Sequence, residues 1–197
     1  MSDDIRFDRR MSDSDALMWG IEKDPLLRST ITAVSLFDHP PDPKRLRERV
    51  ERGTRLIPRL RQRVVSAPLV ASPPRWVVDR NFDLDYHLRR VAAPAPGDRR
   101  ALLDLAEPIG MQGFDRARPL WEFTVVEGLA DGKAAVIQKL HHSITDGVGA
   151  IKLAMVLFDL EREPDDPGHL PAVPDAEHPS PWALTLVLQR LERERPR

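Results

Sequence analysis

The chain reads as an α/β protein with a mixed sheet and flanking helices, and three observations predict it. Runs rich in β-branched and aromatic residues recur with strand length, at Thr30 to Phe37, Trp121 to Glu127 and Lys133 to His141. Between them lie segments whose apolar residues follow helical spacing, such as Leu46, Val50 and Ile57. The length, 197 residues, is enough for one core that buries roughly 70% of the surface the unfolded chain exposes.

Met1 to Arg10 reads as a polar extension, and Met11 is a second candidate start. Asp13 to Gly20 has helical character, with Ala16, Leu17 and Trp19 available for packing. The β-rich run Thr30 to Phe37 ends at the turn His39-Pro40-Pro41. Asp42-Pro43 then supplies a cap followed by proline in the first helical turn. Leu46, Val50 and Ile57 form the apolar stripe of that helix, and its Arg and Glu residues fall opposite. They read as a solvated face or, more sharply, as a contact for the phosphates of coenzyme A. Arg75 to Val78 is a strand candidate after Pro73-Pro74, and a further β-like segment falls around Tyr86 to Val91. Asp98 caps a helix carrying Leu102, Leu105 and Ala106, which Pro108 is expected to limit or kink. Trp121 to Glu127 and Lys133 to His141 pair as a hairpin through a loop containing Asp131-Gly132. Val148 to Phe158 is apolar nearly all round, as a buried helix would be. Residues 161–181 are dense in proline and acid and read as a linker. Trp182 to Leu191 is a final helix with a charged tail, Glu192 to Arg197.

Composition excludes several classes. A formal charge of −1 argues against nucleic acid as a partner, since phosphate neutralisation needs a basic surface. No apolar run approaches the roughly 20 residues of a membrane span, and the polar start Met1 to Arg6 has no secretory pattern. A cytoplasmic location is therefore expected. The chain has no cysteine, which removes disulfides and thiol nucleophiles.

The most informative stretch is Leu140-His141-His142-Ser143-Ile144-Thr145-Asp146-Gly147. It places two imidazoles at the end of a strand and an Asp-Gly immediately before a helix, where α/β folds expose reactive groups. Histidine exchanges protons near neutral pH, so it suits general-base work at such a rigid junction. Neighbouring side chains on a strand point to opposite faces, so the two rings cannot address one substrate atom. One is expected to serve chemistry and the other structure. Thr145 or Asp146 is placed to cap the following helix, and Gly147 to permit a tight turn or close ligand approach. A hydrogen-bonded structural histidine is the bland alternative. A metal site is not expected: the strand separates the rings, and no thiolate is available.

His141 to Gly147 has the form H-H-x-x-x-D-G. It resembles the active-site signature of acyl-CoA-dependent acyltransferases with a chloramphenicol-acetyltransferase-like fold. Pro119-Leu120-Trp121-Glu122 is similar to the P-L-W-E motif of one branch, the bacterial wax ester synthase/diacylglycerol acyltransferases. Ser12-Asp13-Ser14-Asp15-Ala16-Leu17-Met18-Trp19 is similar to that branch's N-terminal S-x-x-D-A-x-x-W pattern. The seven-residue signature alone is shared by several acyltransferase and condensation families; the three motifs in order identify this one. Core packing also accounts for the P-L-W-E segment, since Trp121, Phe123 and Val125 alternate with Glu122 and Thr124.

The resemblance implies a single N-terminal domain over residues 11–160, equivalent to half of an enzyme whose two similar domains enclose the active-site tunnel. Residues 182–197 would lead toward a second domain, or pair with another chain or a second copy. His142 would be the general base, taking a proton from a hydroxyl of diacylglycerol or a long-chain alcohol as it attacks acyl-CoA. His141, Asp146 and Gly147 would be structural, with Pro119, Leu120, Trp121 and Glu122 beneath them. Arg116 and Arg118 are candidate partners for Asp146. Ser143 is not expected to be a nucleophile, because no G-x-S-x-G elbow surrounds it. Acyl-CoA would be a co-substrate, with no cofactor and no metal. Lipid substrates further imply peripheral contact with the inner membrane or lipid droplets. Two other classes stay open: a non-catalytic lipid-binding or regulatory half-domain, and a thioester or ester hydrolase in which His142 activates water.

Overall fold

A computed structural model describes residues 10–66, 73–144 and 170–173. A four-stranded mixed sheet organises them, in the order β1-β6-β5-β4. β1 (Thr30–Phe37), β6 (Ala134–His141) and β5 (Trp121–Glu127) are successively antiparallel, and β4 (Leu88–Ala92) runs parallel to β5. β2 (Gln62–Val65) and β3 (Arg75–Val78) form a separate antiparallel pair. β2 has no counterpart among the sequence expectations, because Gln62 and Arg63 break the apolar pattern of so short a strand.

All eight residues of β6 are buried, and so are six of the seven in β5. Both faces of the sheet centre are covered. On one face, Val136 and Leu140 join Trp121, Phe123 and Val125 in a core with Leu46, Val50, Leu60 and Trp76. On the other, Ala135, Ile137 and Val126 pack against Leu102 and Ala106. The latter two project from α4 (Arg99–Met111). Glu122 and Thr124, which alternate with Trp121, Phe123 and Val125, lie on the opposite face of the sheet and are buried as well.

Caps lie where the sequence places them. α1 (Asp13–Ile21) begins at Ser12, whose Oγ accepts the Asp15 N–H at 3.1 Å. Asp42 accepts the Arg45 N–H at 2.7 Å to open α2 (Pro43–Leu56), with Pro43 in its first turn. Asp98 accepts the Ala101 N–H at 2.8 Å. Three boundaries differ. Pro108 lies inside α4, which continues to Met111, so the proline does not stop it. Tyr86 and His87 belong to a short helix, α3 (Leu84–His87), capped by Asp83, and the strand begins only at Leu88. Ile57 is the C-cap of α2 rather than part of its helical stripe, though it still packs on the core.

The hairpin loop turns through Asp131 at φ 60° and Gly132 at φ 69°. Charges on α2 are largely engaged within the fold: Glu51 receives both Arg55 and Arg61 at 2.7 Å, and Arg47 pairs with Asp85.

Candidate active site

The histidine doublet lies at the C-terminal end of β6, the strand flanked by β1 and β5. His141 is its last residue, opposite Thr30 of β1. His142 opens a 3-10 turn through Ile144. That single step off the strand separates the environments of the two rings. His141 is 1% exposed, whereas His142 is exposed to solvent. The main chain is fixed on both flanks: the His141 N–H donates to the Leu120 carbonyl at 3.0 Å, and the His142 N–H to the Ser29 carbonyl at 2.8 Å.

Every polar atom of the His141 ring is engaged. Nδ1 accepts the Ser143 N–H at 3.0 Å and lies 2.6 Å from Ser143 Oγ. A ring nitrogen that accepts from an amide carries a lone pair, so the proton resides on Nε2. Nε2 donates it to Glu22 Oε1 at 2.5 Å. Trp19 and Phe114 meet the ring edge-on at centroid distances of 5.7 and 6.2 Å. Burial holds the His141 pKa below the usual imidazole value, with the charge of Glu22 opposing that effect. His141 is thus a neutral, immobilised imidazole.

Glu22 has no forerunner in the sequence expectations. Glu22 caps the C-terminal end of α1, a position that reads locally as surface. Its side chain is buried and also accepts the Ser29 N–H at 2.8 Å. Arg116 Nη2 lies 3.8 Å from its second oxygen and 3.2 Å from the Trp19 carbonyl, and the guanidinium stacks on the Trp19 ring at 4.0 Å. Contacts that span about a hundred residues leave no local signal. The motif residue Trp19 was the nearest available clue.

The P-L-W-E residues stand beneath the doublet. Leu120 supplies the carbonyl that holds His141, and Trp121, fully buried, donates Nε1–H to the Leu60 carbonyl at 2.7 Å. Glu122 lies opposite Lys139 across the β5–β6 ladder, with Nζ at 3.6 Å and Arg89 at 3.4 Å on its other oxygen. The Lys139 side chain is 0% exposed, its Nζ has no hydrogen-bond acceptor, and it rests 4.5 Å above the Phe114 ring. Burial lowers its pKa, against the pull of Glu122. Core packing is therefore part of this motif's role, together with support of the loop.

Asp146 and Gly147 lie outside the described residues, as do residues 148–158, where a helix is expected, residues 161–169 and 174–181 of the linker, and the 182–197 segment. Of the two arginines expected near Asp146, Arg116 sits beside Glu22, while Arg118 lies 3.7 Å from Asp115 and over the Tyr86 ring. Among the described residues no cluster of three metal-ligating side chains exists, and no helix is long and apolar enough to cross a membrane. A cleft of about 350 Å³ lined by Pro94, Pro96, Asp98, Asp104 and Pro108 lies away from the doublet.

The three sequence motifs thus converge on one loop, and residues 11–194 match the profile of the wax ester synthase/diacylglycerol acyltransferase catalytic domain. The chain belongs to this family. Within the wax ester synthase/diacylglycerol acyltransferase family, it is similar to a Mycobacterium tuberculosis H37Rv protein named as a diacylglycerol O-acyltransferase. The two are 46% identical over 176 residues, covering 87% of this chain and 36% of that relative. A second H37Rv protein named in the same way is 35% identical, covering 95% of this chain and 42% of its own length. Among solved structures, the wax ester synthase/diacylglycerol acyltransferase from Marinobacter aquaeolei VT8 superposes with a TM-score of 0.66 at 29% identity. That match covers 96% of this chain and 48% of the other. The starter condensation domain of rhizomide synthetase RzmA superposes at 0.62 with 14% identity, over 76% of this chain and 37% of its own, which speaks to fold alone. The chloramphenicol-acetyltransferase-like arrangement expected from the motifs is the one observed. The chain spans less than half the length of the relatives it matches.

Proposed function

We propose that this chain carries the acceptor-activating base of an acyl-CoA-dependent O-acyltransferase, transferring a fatty acyl group to diacylglycerol or a long-chain alcohol. One observation carries the reading: of two adjacent imidazoles, His141 is consumed by hydrogen bonds to Glu22 and Ser143, while His142 faces solvent on a backbone pinned to the neighbouring strand. A base needs a free ring nitrogen and a fixed position; the His142 backbone is pinned, and no hydrogen bond to its ring forms among the described residues.

In the reaction, the hydroxyl oxygen of the acceptor attacks the thioester carbonyl carbon while His142 takes the hydroxyl proton. The tetrahedral intermediate expels coenzyme A as the C–S bond breaks, and the imidazolium returns its proton to the departing sulfur. The products are an ester and a free thiol, with no acyl-enzyme formed. Acyl-CoA is consumed as a substrate. The family membership and the names of the mycobacterial relatives support this chemistry. Asp146 and Gly147 complete the signature as structural residues, and delivery of the acceptor from a lipid surface is in keeping with its apolarity.

The test is incubation of the purified protein with labelled palmitoyl-CoA, with and without diacylglycerol or hexadecanol. Labelled triacylglycerol or wax ester that disappears in His142→Ala is the expected result. Free fatty acid as the sole product would replace the transferase by a hydrolase, and binding without product would leave a lipid-binding role.

A further inference from the structure

We propose that Glu22 is the positioning residue for His142, fixing the backbone on both sides of the base through His141 and Ser29. This role presupposes His142 as the base. Four hydrogen bonds form the circuit. Glu22 Oε1 accepts the Nε2–H of His141 at 2.5 Å and the N–H of Ser29 at 2.8 Å. The Ser29 carbonyl accepts the His142 N–H at 2.8 Å. His141 Nδ1 accepts the Ser143 N–H at 3.0 Å. One carboxylate oxygen therefore sets the start of the neighbouring strand and the tilt of the preceding ring, and so the residues before and after His142.

The placement of this carboxylate is not one that helix formation favours. It stands at the C-terminal end of α1, where the helix dipole disfavours negative charge. Burial adds a desolvation cost. What offsets both is the convergence of two N–H donors on one oxygen, with Arg116 at 3.8 Å from the other. A surface capping role requires none of these contacts. Glu22 does not meet the substrate in this scheme; it acts by holding geometry, and a displacement of about 1 Å at a base costs rate by on the order of 10²-fold.

The experiment uses the full chain and two variants. Glu22→Ala deletes both acceptors; Glu22→Gln keeps an acceptor oxygen and removes the charge. Backbone amide hydrogen exchange is followed by NMR. In Glu22→Ala, protection of the His142 amide should fall by about tenfold or more while Val136, mid-strand in β6, keeps its protection. In Glu22→Gln, His142 protection should return to within about threefold of the parent. Undiminished protection of His142 in Glu22→Ala overturns the proposal. Should Glu22→Ala not fold, the Glu22→Gln variant decides by imidazole ¹⁵N titration. Besides Glu22, the charges facing the His141 ring are Asp15 and Arg116. Loss of the Glu22 charge should move the His141 midpoint further down; an unmoved His141 midpoint overturns the proposal. Neither readout needs substrate, so they separate this role from the reaction itself. If the parent chain makes no ester while the exchange pattern holds, only the transferase reading fails. Where ester is made, Glu22→Ala should lower kcat by about 10²-fold with KM within about twofold, and Glu22→Gln should restore most of it.

Discussion

Replacing either histidine by alanine should produce opposite signatures, because one ring packs and the other does not. His142 is exposed and its backbone bond to Ser29 survives truncation, so His142→Ala should move Tm by less than about 2 °C. On the proposed general-base role, the same change should lower ester formation by about 10²–10⁴-fold, the usual contribution of such a base. His141→Ala leaves the Glu22 carboxylate without its ring donor and opens a void beside Trp19 and Phe114. A lost hydrogen bond to a charged group is worth about 1.5–3 kcal/mol, and the cavity adds to it. Tm should therefore fall by roughly 5–10 °C. Thermal melts of both variants check the contrast. Equal losses of stability would mean that His142 is a packing residue and that the roles are wrongly divided.

Between elements, the Glu122–Lys139 pair joins the two most buried strands and is asymmetric. Lys139→Met leaves Glu122 with Arg89 at 3.4 Å, whereas Glu122→Gln strands a wholly buried ammonium that has no hydrogen-bond acceptor. Breaking a buried pair from the wrong side costs about 3–5 kcal/mol, so Glu122→Gln should be the more damaging, and Lys139→Met closer to neutral. Urea titrations of both variants rank them, and the reverse order would contradict the asymmetry. A second seam joins the loop before α4 to the β5–β6 turn, where the Ala130 N–H donates to the Gly97 carbonyl at 2.8 Å. Gly97 has φ 74°, and a Cβ there would stand 2.8 Å from the Gly128 carbonyl oxygen. Gly97→Ala should therefore destabilise by about 2 kcal/mol or more, from left-handed strain plus the clash. Elements with local signals were legible beforehand: the Ser12, Asp42 and Asp98 caps, the β1 run, the β5–β6 hairpin with its Asp131-Gly132 turn. The exceptions share a cause. β2 is visible only by its pairing with β3, Pro108 is exposed within a helix whose Leu102 and Ala106 pack on the sheet, and Glu122 and Thr124 lie on the sheet face that a second cluster covers. At the site, residue types and spacing marked the doublet and its supports, and Arg116 as a charge near the motif, but not Glu22, the partner that Arg116 and His141 meet across the fold.

For the molecule as a whole, pH acts on stability chiefly through imidazoles that must remain neutral. His87 is fully buried, stacked on Trp121 at 4.5 Å and on Phe82 at 5.3 Å. Its Nδ1–H donates to the Trp121 carbonyl at 2.6 Å, and its Nε2 is buried with no partner. A proton added there would meet apolar rings, so burial pushes the pKa from 6.5 down to about 4. The unfolded chain then binds more protons than the folded one between those values, and stability must rise with pH across that window. The stabilisation is complete above pH 6.5 and is lost as pH falls toward 4, by about 3 kcal/mol from this group alone. His141, also lowered by burial, adds a change of the same sign. Carboxylates protonate at the acid end of the range as well, so the diagnostic is a comparison. His87→Phe keeps a flat ring between Trp121 and Phe82 but removes the titration. Denaturant unfolding from pH 7.5 to 4.5 should show a steep loss of stability in the parent and a shallower one in His87→Phe, the curves converging toward the acid end. Parallel curves would show that His87 takes up its proton equally in the folded and unfolded chains, and that its ring is not sealed between the two aromatic neighbours.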